Sequence, residues 1–130
     1  MSDISLKAKV QIKSHRDLVV WQKAMDLVEA IYTASRTFPK DETYGLVSQM
    51  RRAAVSIPAN VAEGQGRRLP GEFQQFLANA RGSLWELDTH LELALRLKYI
   101  NSEQYNVVRV KLDEVGRLLN GLLRSIASNI

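Results

Sequence analysis

Basic residues in tight pairs are the only side chains in this chain whose type and spacing point to chemistry. Arg51-Arg52 and Arg67-Arg68 are adjacent pairs, and Lys7, Lys9, Lys13 and Arg16 lie in the first twenty residues. Guanidinium and ammonium groups so placed neutralise phosphates and give sequence-independent affinity through counterion release. No helix-turn-helix, RRM or KH signature adds base readout. The same arginines also have an ordinary use as ion-pair partners. If the second and third helical segments are antiparallel, Arg51 falls opposite Glu86; in the next hairpin Glu92 falls opposite Arg109, and Glu86 near Arg117. Such surface pairs contribute about 0 to 1 kcal/mol.

Catalytic and metal chemistry find no support. A di-iron bundle needs carboxylates from four helices and two Glu-x-x-His pairs. This chain has two histidines and only Glu86-x-x-x-His90, so His90 reads as a surface or core-edge residue. Gly64-x-Gly66 has no later glycine to make a dinucleotide fingerprint, and neither a P-loop nor a nucleophile elbow occurs. The chain is expected to be non-enzymatic, with no cofactor and no metal. It has no cysteine, which excludes a disulfide framework and thiolate ligands. No apolar run approaches the roughly 20 residues that cross a bilayer, and the start lacks a signal-peptide core, so a cytoplasmic protein without membrane contact is expected.

The elements that must carry these residues are helical. With 130 residues, 45% hydrophobic and 25% charged, the chain suits one bundle domain over residues 17–130, preceded by an arm over residues 1–16. Four segments carry apolar residues at helical spacing. The first runs from about Leu18 to Arg36, with Trp21, Ala24, Val28 and Ile31 inward, and stops at Phe38-Pro39. The second runs from about Thr43 to Glu63. Pro58 lies inside it, either bending it or breaking it in two. The third runs from Pro70 to about Lys98, on the order of 43 Å long at 1.5 Å per residue. The fourth opens at Asn101 or Ser102 and runs to about Ile126. Short connections make neighbours antiparallel, so the fold class is all-α, an up-down-up-down four-helix bundle.

In the arm, Ile4, Leu6, Ala8, Val10 and Ile12 alternate with polar residues, which is strand periodicity. It reads as a partly ordered tail, or as a strand that pairs with the same arm of another subunit or lays its apolar face on the bundle. The first twenty residues hold +2 of the net charge of +4. In the third segment Gly82 costs about 1 kcal/mol of helix stability relative to alanine. With Ser83 it would let another helix approach, inside the bundle or from a second subunit, and Trp85 beyond them would anchor such a contact.

The stretch from Gln49 to Gly66, containing Ser56-Ile57-Pro58-Ala59-Asn60, the stretch from Phe76 to Leu87, and Val20-Trp21-Gln22-Lys23-Ala24 together resemble the 23S rRNA intervening-sequence proteins of bacteria. The resemblance covers about Asp17 to Ile126 and leaves the arm aside. It implies a left-turning antiparallel four-helix bundle that assembles as a ring, a homopentamer, with a basic surface for nucleic acid. Similar bundles include the accessory variability protein of diversity-generating retroelements, which resembles a partner of reverse transcriptase and nucleic acid. The implied partners are therefore copies of the chain, RNA or DNA in a ribosomal or ribonucleoprotein setting, or a protein. Two functions remain open: nucleic-acid binding through Arg51, Arg52, Arg67 and Arg68, and a protein-interaction scaffold working through Gly82, Ser83 and Trp85.

Overall fold

The fold was described from a computed structural model, which describes residues 12–128. The alternating arm lies outside these residues except for its last positions. There, Asp17 accepts the backbone N–H groups of Lys13 and Ser14 at 2.8 and 3.2 Å, closing a single 3₁₀ turn over His15–Asp17. Those two bonds hold the Asp17 carboxyl below the usual carboxylate range. Ile12 packs on the edge of the core.

Four helices follow: α1 (Val19–Ser35), α2 (Leu46–Gln65), α3 (Pro70–Arg96) and α4 (Ser102–Ala127). Each packs on its neighbours in the chain, and α1 closes the ring against α4; no diagonal pair touches among the described residues. This is the antiparallel four-helix bundle that the four apolar stripes require.

The core comes from the expected periodicities. Met50, Ile57 and Val61 of α2 meet Leu77, Leu84, Leu87 and Leu91 of α3, with Val108, Leu112, Val115 and Leu119 from α4. Each such side chain contributes about 1.5 to 3 kcal/mol on leaving water. In α1 the buried line is Val20, Ala24, Leu27 and Ile31, so Trp21 sits one position off centre and lies half-buried beside His15, ring centroids 5.1 Å apart.

Helix α2 begins three residues later than Thr43, because Lys40–Glu42 forms its own 3₁₀ turn. Glu42 then caps α2, accepting the Leu46 N–H at 3.1 Å and the Tyr99 hydroxyl at 2.8 Å. Both bonds favour the carboxylate, so the Glu42 pKa is lowered, chiefly by Tyr99. The Tyr99 phenol is raised in return. Two loops far apart in sequence are thereby tied at one end of the bundle.

Pro58 neither ends nor divides α2. The helix runs unbroken past it, with the ring buried. Around it, the Ser56 hydroxyl donates to the Ala53 carbonyl at 2.8 Å and the Asn60 amide to the Ser56 carbonyl at 2.7 Å, adding bonds to carbonyls other than that of Ala54, which loses its helical donor to the proline. The α2–α3 crossing is close at Gly64. A Cβ there would lie 2.7 Å from the Phe76 Cβ and 2.9 Å from the Phe73 ring. Gly64 therefore admits the third helix, which is a different duty from stopping the second.

Helix α3 closes with a Schellman turn: Tyr99 N–H donates to the Ala94 carbonyl at 2.9 Å and Lys98 N–H to Leu95 at 3.0 Å. Lys98 occupies the left-handed position, φ 63°, which glycine usually fills. Asn101 caps α4 reciprocally with Gln104, at 2.8 and 2.9 Å.

Candidate nucleic-acid interface

The four arginines singled out by adjacency do not form one surface. Arg52 lies near the start of α2 and Arg67 beyond its end, so about 13 helical residues, roughly 20 Å, separate the pairs. Their environments differ as well. Arg51 is half-buried between α1 and α2, donating to the Ser35 hydroxyl at 3.0 Å with its guanidinium 4.4 Å above the Tyr32 ring. It fastens two helices and pairs with no carboxylate, so it does not face Glu86 as an ion partner. Arg67 is neutralised by Glu63 at 2.9 Å and Glu72 at 3.8 Å and covers the Phe76 ring. Arg52 and Arg68 are exposed and make no ion pair among the described residues.

The other hairpin departs from expectation in the same way. Arg109 pairs with Asp88 and with Asp113 at 3.3 Å and donates to the Tyr105 hydroxyl oxygen at 2.9 Å, and it makes no ion pair with Glu92. Glu92 is already taken by Arg96 at 3.0 Å. Three acceptors hold the Arg109 proton well above the ordinary arginine range, Asp88 foremost. Arg117 makes no ion pair with Glu86.

Charge is nonetheless segregated along the bundle. The half nearer the α2–α3 turn, residues 12–27, 56–83 and 115–128, holds eight Lys and Arg against four Asp and Glu, a net +4. The opposite half, residues 28–55 and 84–114, holds eight against nine, a net −1. The near-balance of the bundle read along the chain is therefore a cancellation between its two ends. At the basic end, Arg68, Arg117 and Arg124 are exposed, with no carboxylate within ion-pair distance among the described residues.

The same half contains a groove between the first part of α3 and the last part of α4, a hollow of about 500 Å³. Arg81 and Asn120 join its walls, Nη1 to Oδ1 at 3.2 Å. Neither residue stood out in sequence, although Arg81 and Trp85 are four apart and so share a helix face. The guanidinium lies 5.2 Å from the Trp85 ring centroid.

The small residues divide by role. Gly82 is exposed, with nothing within 4 Å of where its Cβ would be, so no helix of this chain approaches it. Close approach in the α3–α4 pair occurs at Gly116, where a Cβ would meet the Leu84 side chain at 3.2 Å. Ser83 is half-buried beside Gly82. Trp85 is 61% exposed, and Leu93 and Leu97 continue the same outward stripe of α3.

His90 is not at the surface. It is 6% exposed, between Leu87 and Ala94 on the buried line of α3, and its Nδ1 has no partner. Burial lowers its pKa against the opposing pull of Glu86. Among the described residues no group of His, Cys, Asp and Glu could hold a metal ion, and no helix is long and apolar enough to cross a membrane.

A family model described as 23S rRNA-intervening sequence protein matches residues 16–121. The chain is also similar to a crystal structure of a protein of unknown function from the S23 ribosomal protein family of Bacteroides thetaiotaomicron. Identity is 25%, the TM-score is 0.73, and the match covers 81% of this chain and 98% of that one. No curated protein matches the chain.

Proposed function

We propose a function for a chain that belongs to the 23S rRNA-intervening sequence protein family: a non-enzymatic bundle that holds the phosphate backbone of nucleic acid at its basic end. The observation that carries this reading is the segregation of charge, +4 in one half of the bundle and −1 in the other. A field of one sign over one end attracts a polyanion, whereas the same residues evenly mixed with acids would not. Arg68, Arg117 and Arg124 supply exposed cations there, with no carboxylate paired to them among the described residues. Arg51 fastens helices and Arg67 is paired, so neither is assigned a phosphate. Membership of the 23S rRNA-intervening sequence family supports ribosomal RNA or a ribonucleoprotein as the setting, and a cytoplasmic location fits it. Charge reversal tests the reading: Arg68→Glu should weaken RNA binding several-fold, and Arg52→Glu at the other end should leave it nearly unchanged. Equal losses from both would contradict it.

A second reading concerns assembly. Trp85, Leu93 and Leu97 form an exposed stripe on α3, and Gly82 offers open space beside them. Large apolar side chains in one stripe mark a protein contact. We propose that this face joins copies of the chain into a homo-oligomer, a ring of five by resemblance, or receives a protein partner. Gly82→Leu should then dissociate the assembly in sedimentation, and an unchanged assembly would count against this face.

A further inference from the structure

We propose that the groove between α3 and α4 at the basic end is a seat for the sugar-phosphate backbone of a single nucleic-acid strand, with Arg81 as its central contact. The proposal rests on the nucleic-acid reading above and adds the place and strandedness of binding.

The lining chemistry suits a phosphodiester. Gln74, Gln75, Arg81, Asn120 and Arg124 supply amide and guanidinium donors, and none of the lining residues is Asp or Glu. Amides and arginines without acids are what phosphate and sugar contacts use. Gly71 and Ala78 keep the α3 wall low, and a Cβ at Gly71 would meet nothing within 4 Å.

Arg81 is held for such a role. It is half-buried and has no carboxylate partner among the described residues, whereas the other half-buried arginine of this hairpin, Arg109, has two. Trp85 supports one face of its guanidinium and Asn120 accepts from Nη1. Its Nε is buried with no acceptor. A buried donor left unmet is costly, so the side chain gains when its outer bonds turn toward an acceptor arriving in the groove. A guanidinium turned outward in this way offers the fork of Nε and Nη2 to a phosphate for two parallel bonds.

The dimensions select one strand. Neighbouring helices pack about 8 to 10 Å between axes, and the groove runs from Gly71 to Arg81 on α3 and from Asn120 to Ala127 on α4, roughly 11 to 15 Å. One extended backbone fits there and a duplex does not enter.

The test is fluorescence anisotropy of the full chain with a short labelled single-stranded RNA and its DNA counterpart, over a salt series. Arg81→Gln and Arg124→Glu should each weaken binding about tenfold and lower the salt slope by about 0.7, one phosphate contact on a single strand. Gln75→Glu should act in the same direction; Gln75 is exposed and bonds only Asn79 in its own helix, so this variant reads the groove even where Arg81→Gln disturbs folding. Wild-type binding matched by Arg81→Gln and Gln75→Glu, with binding still weakened by Arg68→Glu, overturns the groove while leaving the basic-end reading in place. No binding by the wild type overturns both. Displacement of the RNA by polyglutamate at equal charge concentration would assign the groove to an acidic peptide and overturn the nucleic-acid seat.

Discussion

Arg81 lies 5.2 Å from the Trp85 ring centroid while its Nη1 donates to Asn120 across the α3–α4 interface at 3.2 Å. One residue thus connects the outer stripe of α3 with the groove at the basic end. The contact is between neighbours on one helix face, and its partner on α4 is set by the antiparallel register. Its energetic value as a surface cation–π pair is about 0.5 to 1 kcal/mol, so its interest lies in orientation more than in stability.

The two glycines on opposite faces of the helices should respond with opposite signs. Gly64→Ala places a methyl 2.7 Å from the Phe76 Cβ, and overpacking of that kind costs about 1 to 3 kcal/mol. Gly82→Ala meets open space and should raise helix stability by about 1 kcal/mol. Urea unfolding of both variants, with the oligomeric state recorded, measures the difference directly.

Lys98 holds a left-handed conformation that costs a side-chain-bearing residue about 1 to 2 kcal/mol. Lys98→Gly should therefore stabilise the chain by about 1 kcal/mol in spite of glycine's larger chain entropy. A lower midpoint in thermal or urea unfolding would show that the α3–α4 turn is built differently.

His90 makes stability depend on pH with a definite sign. Burial lowers its folded pKa, so between that value and the unfolded value of about 6.5 the unfolded chain binds more protons. Stability present at neutral pH should fall as pH drops through that window. His90→Leu removes the titration and the unpartnered Nδ1, and its unfolding free energy should be flatter than the wild type's from about pH 7 to 5. Parallel curves for the two proteins would exclude His90 as the source.

Removing one side of the Arg109 cluster should be more costly than losing an exposed pair. Arg109 is half-buried and shared by Asp88, Asp113 and Tyr105. Arg109→Met leaves two carboxylates near each other without a cation and should lose about 1 to 3 kcal/mol, whereas Arg96→Met on the exposed Glu92 pair should lose under about 1. Denaturant midpoints for the two variants decide it.

Most of the fold was legible because each helix carries its own apolar period and its own boundary. Pro39 and the Asn101–Gln104 cap mark ends through local chemistry that needs no knowledge of the rest of the chain. Pro58 was ambiguous for the opposite reason: whether a helix survives a proline depends on how it packs in the folded chain, and here the ring is buried within an unbroken helix. Arginine partners were the least legible. Glu92 was expected for Arg109, but Arg96 competes for it from within the same helix, and only three-dimensional distances decide between them. The polarity of the bundle was hidden because antiparallel folding gathers residues 12–27, 56–83 and 115–128 at one end, while a running count along the chain mixes them with the other.

The most direct test of the central claim is the salt dependence of wild-type binding to a ribosomal RNA fragment, measured beside an Arg68→Glu/Arg124→Glu variant and an Arg52→Glu variant. Phosphate binding at the basic end predicts a linear fall of log affinity with log salt, a slope smaller by about 1.4 in the double variant, and an unchanged slope in Arg52→Glu. Absence of binding at low salt, or a slope that Arg52→Glu reduces as much as the double variant does, would contradict it.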